Sequence, residues 1–295
     1  MNKSHLTFIA LAILTCGCNN PNTNQEEEIS ASLNAESDSV ITTKESGEVT
    51  TETFVTDWEK QNLIGQIASL SEHSFDVDEN GEEIGMGGSS HWYDFDSTGR
   101  IIEEGSNGCC GAEFRTIIYK YNEENQLTHR IIYATDDWSE DITKDADYSE
   151  KEKFFYKEGV LVKIKKAGFD QELTQEVEFE FNGDELIKEE VFNEGSDQKE
   201  IITYTSSPSK CVETHYLSDT IFYYKIENDL DQIGNITETR KYFDDGKIQE
   251  ERFEYEYDEK GNWIEQRRNY RYILEDDTKE EWRKGNTTTR SIKYY

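Results

Sequence analysis

The chain has 295 residues, with 64 Asp and Glu against 31 Lys and Arg, and so a formal charge of -33. A surface this acidic repels phosphate and sulfate, which excludes nucleic acid, anionic headgroups and heparin-like polymers as ligands. Apolar residues make up only 34% of the chain, yet 17 Tyr, 14 Phe and 5 Trp supply large surfaces for burial, and this excludes wholesale disorder.

Residues 1–17 read as an export signal: a basic Lys3, an apolar run from Leu6 to Leu14, then Thr15-Cys16-Gly17-Cys18. The run is too short to cross a hydrocarbon layer about 30 Å thick. A cysteine after a small residue at the end of such a run resembles the lipobox of a bacterial lipoprotein. Cys18 is the expected lipidation site, with Cys16 the competing position. The expected location is the bacterial outer membrane or cell surface, with membrane lipid as the first partner through the acylated N-terminus and the leaflet left open. Residues 18–55, rich in Asn, Ser, Thr and Glu without a sustained apolar period, form an acidic tether.

From residue 56 to 295 the pattern changes to period two. Ile117, Tyr119 and Tyr121 alternate with Ile118 and Lys120; Val177, Phe179 and Phe181 with Glu178 and Glu180; Phe253, Tyr255 and Tyr257 with Glu254 and Glu256. One aromatic face and one charged face describe a strand with a buried side and a wet side. Trp58 to Leu70 is the single helical candidate, and its Ile64, Ile67 and Ala68 spacing equally suits a strand after Gly65.

Turns recur behind the aromatic positions: Phe95-Asp96-Ser97-Thr98-Gly99, Tyr121-Asn122 to Asn125, Tyr156 to Gly159, Phe181-Asn182-Gly183, Phe243-Asp244-Asp245-Gly246 and Tyr257-Asp258 to Gly261. Gly or Asn supplies the positive φ a hairpin requires, and Asp or Asn bonds the backbone that follows it. The eleven residues Lys247 to Tyr257 suffice for one strand shared by two hairpins. The fold class is therefore all-β: a long antiparallel meander of β-hairpins forming a curved, open sheet.

These units resemble the tyrosine-aspartate repeats of the Rhs/YD superfamily. With the lipobox, the polar tether and the segment Leu63-Ile64-Gly65-Gln66-Ile67, the layout resembles YD-repeat-like lipoproteins of Bacteroidetes. The resemblance covers roughly residues 58–295 and implies a long antiparallel sheet. The regular shell and cargo of the large members do not carry over to a chain of this length.

Few residues carry chemistry. His73, His91, His129 and His215 lie far apart and fit no metal-ligand spacing, so no transition metal and no cofactor is expected. Asp136, Asp137 and Asp141 could gather calcium, but they lack the pattern of a calcium-binding loop and read first as a solvated acidic loop. Cys211 can pair with Cys109 or Cys110, closing a loop of about 100 residues worth roughly 3 to 5 kcal/mol. No nucleophile elbow or phosphate-binding glycine loop appears, so the chain reads as non-catalytic.

The expected function is binding or scaffolding at the cell envelope, with Trp92, Tyr93, Trp138, Trp263 and Trp282 as the candidate surface and an envelope protein or glycan as partner. The alternatives are a glycan-binding lipoprotein and a hydrolase built on two carboxylates.

Overall fold

The computed structural model describes residues 56–84, 88–107, 114–135, 148–170, 172–183, 185–196, 198–218 and 220–295. A short helix, α1 (Asp57–Lys60), precedes sixteen strands. They are β1 (Ile67–Asp76), β2 (Ser89–Phe95), β3 (Ile101–Asn107), β4 (Phe114–Tyr121), β5 (Leu127–Thr135), β6 (Glu150–Lys157), β7 (Val160–Gly168) and β8 (Leu173–Asn182). Then follow β9 (Glu185–Asn193), β10 (Lys199–Ser207), β11 (Lys210–Leu217), β12 (Ile221–Leu230), β13 (Ile236–Phe243), β14 (Ile248–Tyr257), β15 (Trp263–Ile273) and β16 (Arg283–Tyr294). Each strand pairs antiparallel with its chain neighbour, and β16 returns to pair with β1.

The meander is as the alternating patterns require, but the expectation of an open sheet is corrected: the sheet closes into a barrel. Complementary side chains join the first and last strands. Arg290 donates to Glu72 across the seam at 2.7 Å, and the Ser74 and Thr288 hydroxyls meet at 2.7 Å. An open sheet would leave both of these strands with unpaired edges.

Six of the hairpins share one device. In β2–β3, β4–β5, β6–β7, β8–β9, β12–β13 and β14–β15 the register slips just before the turn, at Phe95, Tyr121, Tyr156, Phe181, Leu230 and Tyr257. The extra residue falls on the strand after each turn, as at Ile102, Thr128 and Ile264, and such a bulge bends that strand and re-aims its first side chains.

Four of these turns then repeat one hydrogen-bond set. The Oδ1 atoms of Asp96, Asn122, Asp231 and Asp258 each accept from the backbone N–H two and four residues on. Gly99, Asn125, Gly234 and Gly261 hold the positive φ that completes the turn. All these hairpins lie at one rim of the barrel, together with α1 and the C-terminal Tyr295, whose N–H donates to Gln66 O. The turn at Phe243-Asp244-Asp245-Gly246, grouped with them in the sequence, joins β13 to β14 at the opposite rim and has no register slip.

Residues facing the barrel interior follow from register and burial. Leu70, Tyr119, Ile132, Phe154, Ile164, Val177 and Phe179 are buried, and each sits on the same face as its cross-strand partners. Two apolar clusters form, with Leu127 packed against both. The first includes α1. Thr56 and Glu59 cap that helix reciprocally, Asp57 Oδ2 accepts from Ile101 N, and the Trp58 indole donates to Ile67 O at 3.0 Å. The helix is therefore a single turn docked on the inner wall, and the strand reading of the same stretch holds only from Ile67.

Candidate functional site

Barrel closure gives the chain two walls of different chemistry. The alternation read in the sequence places Tyr, Phe and aliphatic residues inward near the turn rim. Farther along the same strands, inward positions are filled by charged and amide side chains.

The most strongly perturbed inner-wall cluster spans β9 to β13. Tyr204 donates to Glu189 Oε1 at 3.0 Å. His215 lies between two carboxylates, with Nδ1 3.0 Å from Glu200 and Nε2 3.4 Å from Glu213. The imidazole stacks on Tyr224 at 4.0 Å, and the Lys241 ammonium covers the Tyr224 ring at 4.1 Å. Burial pushes the Glu189 carboxyl up to about 7; the Tyr204 bond opposes this, while the negative charge of Glu213 and Glu200 adds to it. Burial alone would lower the His215 pKa, but the bonds to Glu200 and Glu213 outweigh it and hold the imidazole above its ordinary value. The cluster's carboxylates are engaged by Tyr204 and His215.

A second inner network crosses β3 to β7. The Tyr119 hydroxyl donates to Glu104, and the Arg130 guanidinium lies over the Tyr119 ring at 5.8 Å. Arg130 Nε approaches Glu152 Oε2 at 2.8 Å, within ion-pair distance but out of line for a hydrogen bond. Lys166 pairs with Glu150 at 2.7 Å. A third network lies at the seam, where Arg290 pairs with Glu72 and stacks on Trp263 at 3.4 Å. Among the described residues no group of three or more His, Cys, Asp or Glu is placed to hold a metal ion.

The outer wall of β7 to β15 is a set of ion pairs, some cross-strand and some between residues two apart on one strand, as in Lys188–Glu190, Lys225–Glu227 and Arg267–Glu265. Lys163 and Lys165 bracket Glu176 at 2.5 and 2.9 Å; Lys188 and Lys199 bracket Glu190 at 2.6 and 3.2 Å. Lys210 and Lys225 hold Glu227, depressing its carboxyl to about 2 against the opposing effect of burial. Arg240 and Arg271 hold Glu250, Arg252 reaches Glu238, and Arg267 bridges Glu256 and Glu265.

The outer wall from β16 through β5 is different. One register row runs Ser291, Ser71, Trp92, Gly105, Thr116, Tyr133 without a charged residue. Beside it His73 meets the Ser90 hydroxyl at 3.0 Å, and Asn107 accepts from Ser90 N.

The five residues singled out in the sequence are dispersed. Trp92 lies on the outer wall, while its neighbour Tyr93 points inward, where burial and the nearby Glu72 and Glu104 raise its pKa. Trp263 is buried under Arg290 and packs on Tyr255 at 5.8 Å. Trp282 sits between Arg252 and Arg271, 4.5 Å from each. Trp138 lies outside the described residues, as do Cys18, Cys109, Cys110, Asp136, Asp137 and Asp141. Cys211 is almost wholly buried on β11 and disulfide-bonded, with its partner outside the described residues.

Sequence reasoning missed Glu189, Tyr204 and His215 as a group. Glu189 shares a face with Val191 by period two, but with Leu186 only because of the bulge at Ile187, opposite Phe181.

No protein-family model matches the chain, and no curated protein matches it. Among solved structures, the barrel is similar to that of a porin-like protein from Bacteroides uniformis. The two share 10% sequence identity and superpose with a TM-score of 0.52 over 77% of this chain and 96% of that one. The likeness is one of fold.

Proposed function

We propose that the chain is a lipid-anchored, non-catalytic lipoprotein of the bacterial outer membrane or cell surface, whose barrel faces water and works by binding or scaffolding. The observation that carries this reading is the ion-paired outer wall of β7 to β15. A barrel that crosses a bilayer presents an apolar band to lipid, and each Lys or Arg on that surface costs about 2 to 4 kcal/mol near the midplane. Over the lysines and arginines of this wall the penalty reaches tens of kcal/mol, so the barrel rests in water. Attachment is then the task of the acylated Cys18, with the 18–55 segment as tether.

The chain enters the barrel at the rim that carries α1, so the tether joins there. The repeated Asp and Asn turns support the resemblance to tyrosine-aspartate repeats, with the barrel as their closed form.

Fractionation tests the reading. Wild-type protein should sediment with membranes and be released by detergent, whereas Cys18→Ser should appear in the soluble fraction. A Cys18→Ser chain that stays with the membrane through an alkaline carbonate wash would identify a lipid-embedded barrel and overturn the proposal.

A further inference from the structure

We infer that the outer face of β16 and β1 to β5 is a platform for a neutral sugar ring, with the Trp92 indole as its stacking surface. The inference rests on the water-facing barrel proposed above.

A Cβ built on Gly105 would fall 1.8 Å from Trp92 Cζ2, 1.9 Å from Cε2 and 2.6 Å from Cη2. The six-membered ring of Trp92 therefore rests on the Cα of Gly105, its inner face held by the backbone of the adjacent strand. Only a glycine permits this. The residue is half-buried, as a ring lying on the wall should be. An indole fixed in this way loses little entropy when a ligand covers it, and its π face attracts the axial C–H groups of a pyranose.

The surroundings select a neutral, hydroxyl-rich ligand. Exposed Ser71 stands directly opposite Trp92 on β1, with half-buried Tyr133 in the same row beyond the buried Thr116, and the His73–Ser90 pair beside it. The Ser71, Ser90 and Tyr133 hydroxyls both donate and accept hydrogen bonds. The chain's charge of -33 turns away anionic polymers; the Trp92 row itself is uncharged, and the nearest outward charges, Asp94 and Glu103, stand one row away. Elsewhere on the outer wall Trp282 is already covered by Arg252 and Arg271, which makes it the internal control.

The test is native affinity electrophoresis of the full lipidated chain in a sugar-free non-ionic detergent, in gels containing soluble glucan, mannan, xylan or galactan. Wild type should be retarded by at least one polymer. Trp92→Ala should weaken that retardation at least tenfold, and so should Ser71→Arg, which sets a charge beside the ring at an exposed position outside the core. Trp282→Ala should behave as wild type. The inference is overturned if no polymer retards the wild type, or if both Trp92→Ala and Ser71→Arg bind as wild type does. It is equally overturned if light scattering shows a dimer that Ser71→Arg dissociates, which would assign the face to a second copy of the chain. None of these outcomes depends on where Cys18→Ser fractionates, so this inference and the anchoring proposal can fail separately.

Discussion

Replacing Glu189 with Gln should stabilise the barrel at alkaline pH and do almost nothing at pH 4.5. Glu189 lies on the inner wall with its pKa displaced from 4.5 to about 7, chiefly by burial. The folded state thus binds a proton more tightly than the unfolded chain does. Stability from that proton is fully present below pH 4.5 and is lost as pH rises through about 7. At about 1.4 kcal/mol per pH unit, a displacement from 4.5 to about 7 corresponds to about 3 kcal/mol at pH 8. The amide of Gln is isosteric, accepts the Tyr204 hydrogen bond as the carboxyl does, and never acquires the buried charge. Urea unfolding of both proteins at pH 4.5 and pH 8 measures the effect as the change in their stability difference. A difference of about 3 kcal/mol at pH 8 that shrinks to a few tenths at pH 4.5 is expected. An equal difference at the two pH values would refute the assignment of Glu189 as a buried, proton-holding group, because a simple packing effect has no such dependence.

Arg290→Met should cost about 2 to 4 kcal/mol by urea unfolding, since it leaves the half-buried Glu72 without its partner at the strand seam. Restoring balance with Glu72→Gln in the same chain should recover most of that loss. Asp258→Ala should lower the urea midpoint by an amount equivalent to about 1 to 3 kcal/mol, because Asp258 accepts from Lys260 N, Asn262 N and the Tyr294 hydroxyl; the more exposed Asp245→Ala should shift it by less than about 1 kcal/mol. Peptide mapping without reductant should recover Cys211 linked to Cys109 or Cys110, and a Cys211 peptide joined to any other cysteine would reject that pairing.

The strands were legible because one face of each is aromatic and the other charged, as in Phe253, Tyr255 and Tyr257 against Glu254 and Glu256. The turns were legible where an aromatic preceded the Asp or Asn. The fourth copy, Leu230-Asp231-Gln232-Ile233-Gly234, escaped because a leucine replaces the ring, although Asp231 makes the same two backbone bonds. Closure was not legible. It depends on β1 meeting β16, a pairing between residues more than 200 positions apart, and the seam pairs Glu72–Arg290 and Ser74–Thr288 have no local signature. The site residues suffered from the same limit: adjacent Trp92 and Tyr93 look like one surface in the chain and occupy opposite walls in the sheet, as period two demands.

The two walls also explain how so acidic a chain can fold without a large aliphatic core. The outer-wall ladders pair Lys or Arg with Glu across adjacent strands, so much of the positive charge sits where carboxylates would otherwise repel one another. Each such pair is exposed and contributes little by itself. Their collective value is specificity of register, since a slip of one residue would bring Glu178 and Glu180 onto the inner wall and expose Phe179 and Phe181. The protonatable inner wall adds the opposite dependence on acid. His215, held above its ordinary pKa by Glu200 and Glu213, contributes stability that is present below about pH 6.5 and fades as pH rises past its folded value, in step with Glu189. Carboxylates held down by cations, such as Glu227 and Glu250, contribute stability that is present above about pH 4.5 and is lost on further acidification. Inner and outer walls thus bound stability from opposite sides and place its maximum between about pH 4.5 and 6.5. Thermal melting across pH 3 to 9 should trace that maximum, and a melting temperature that climbs steadily to pH 9 would break the argument.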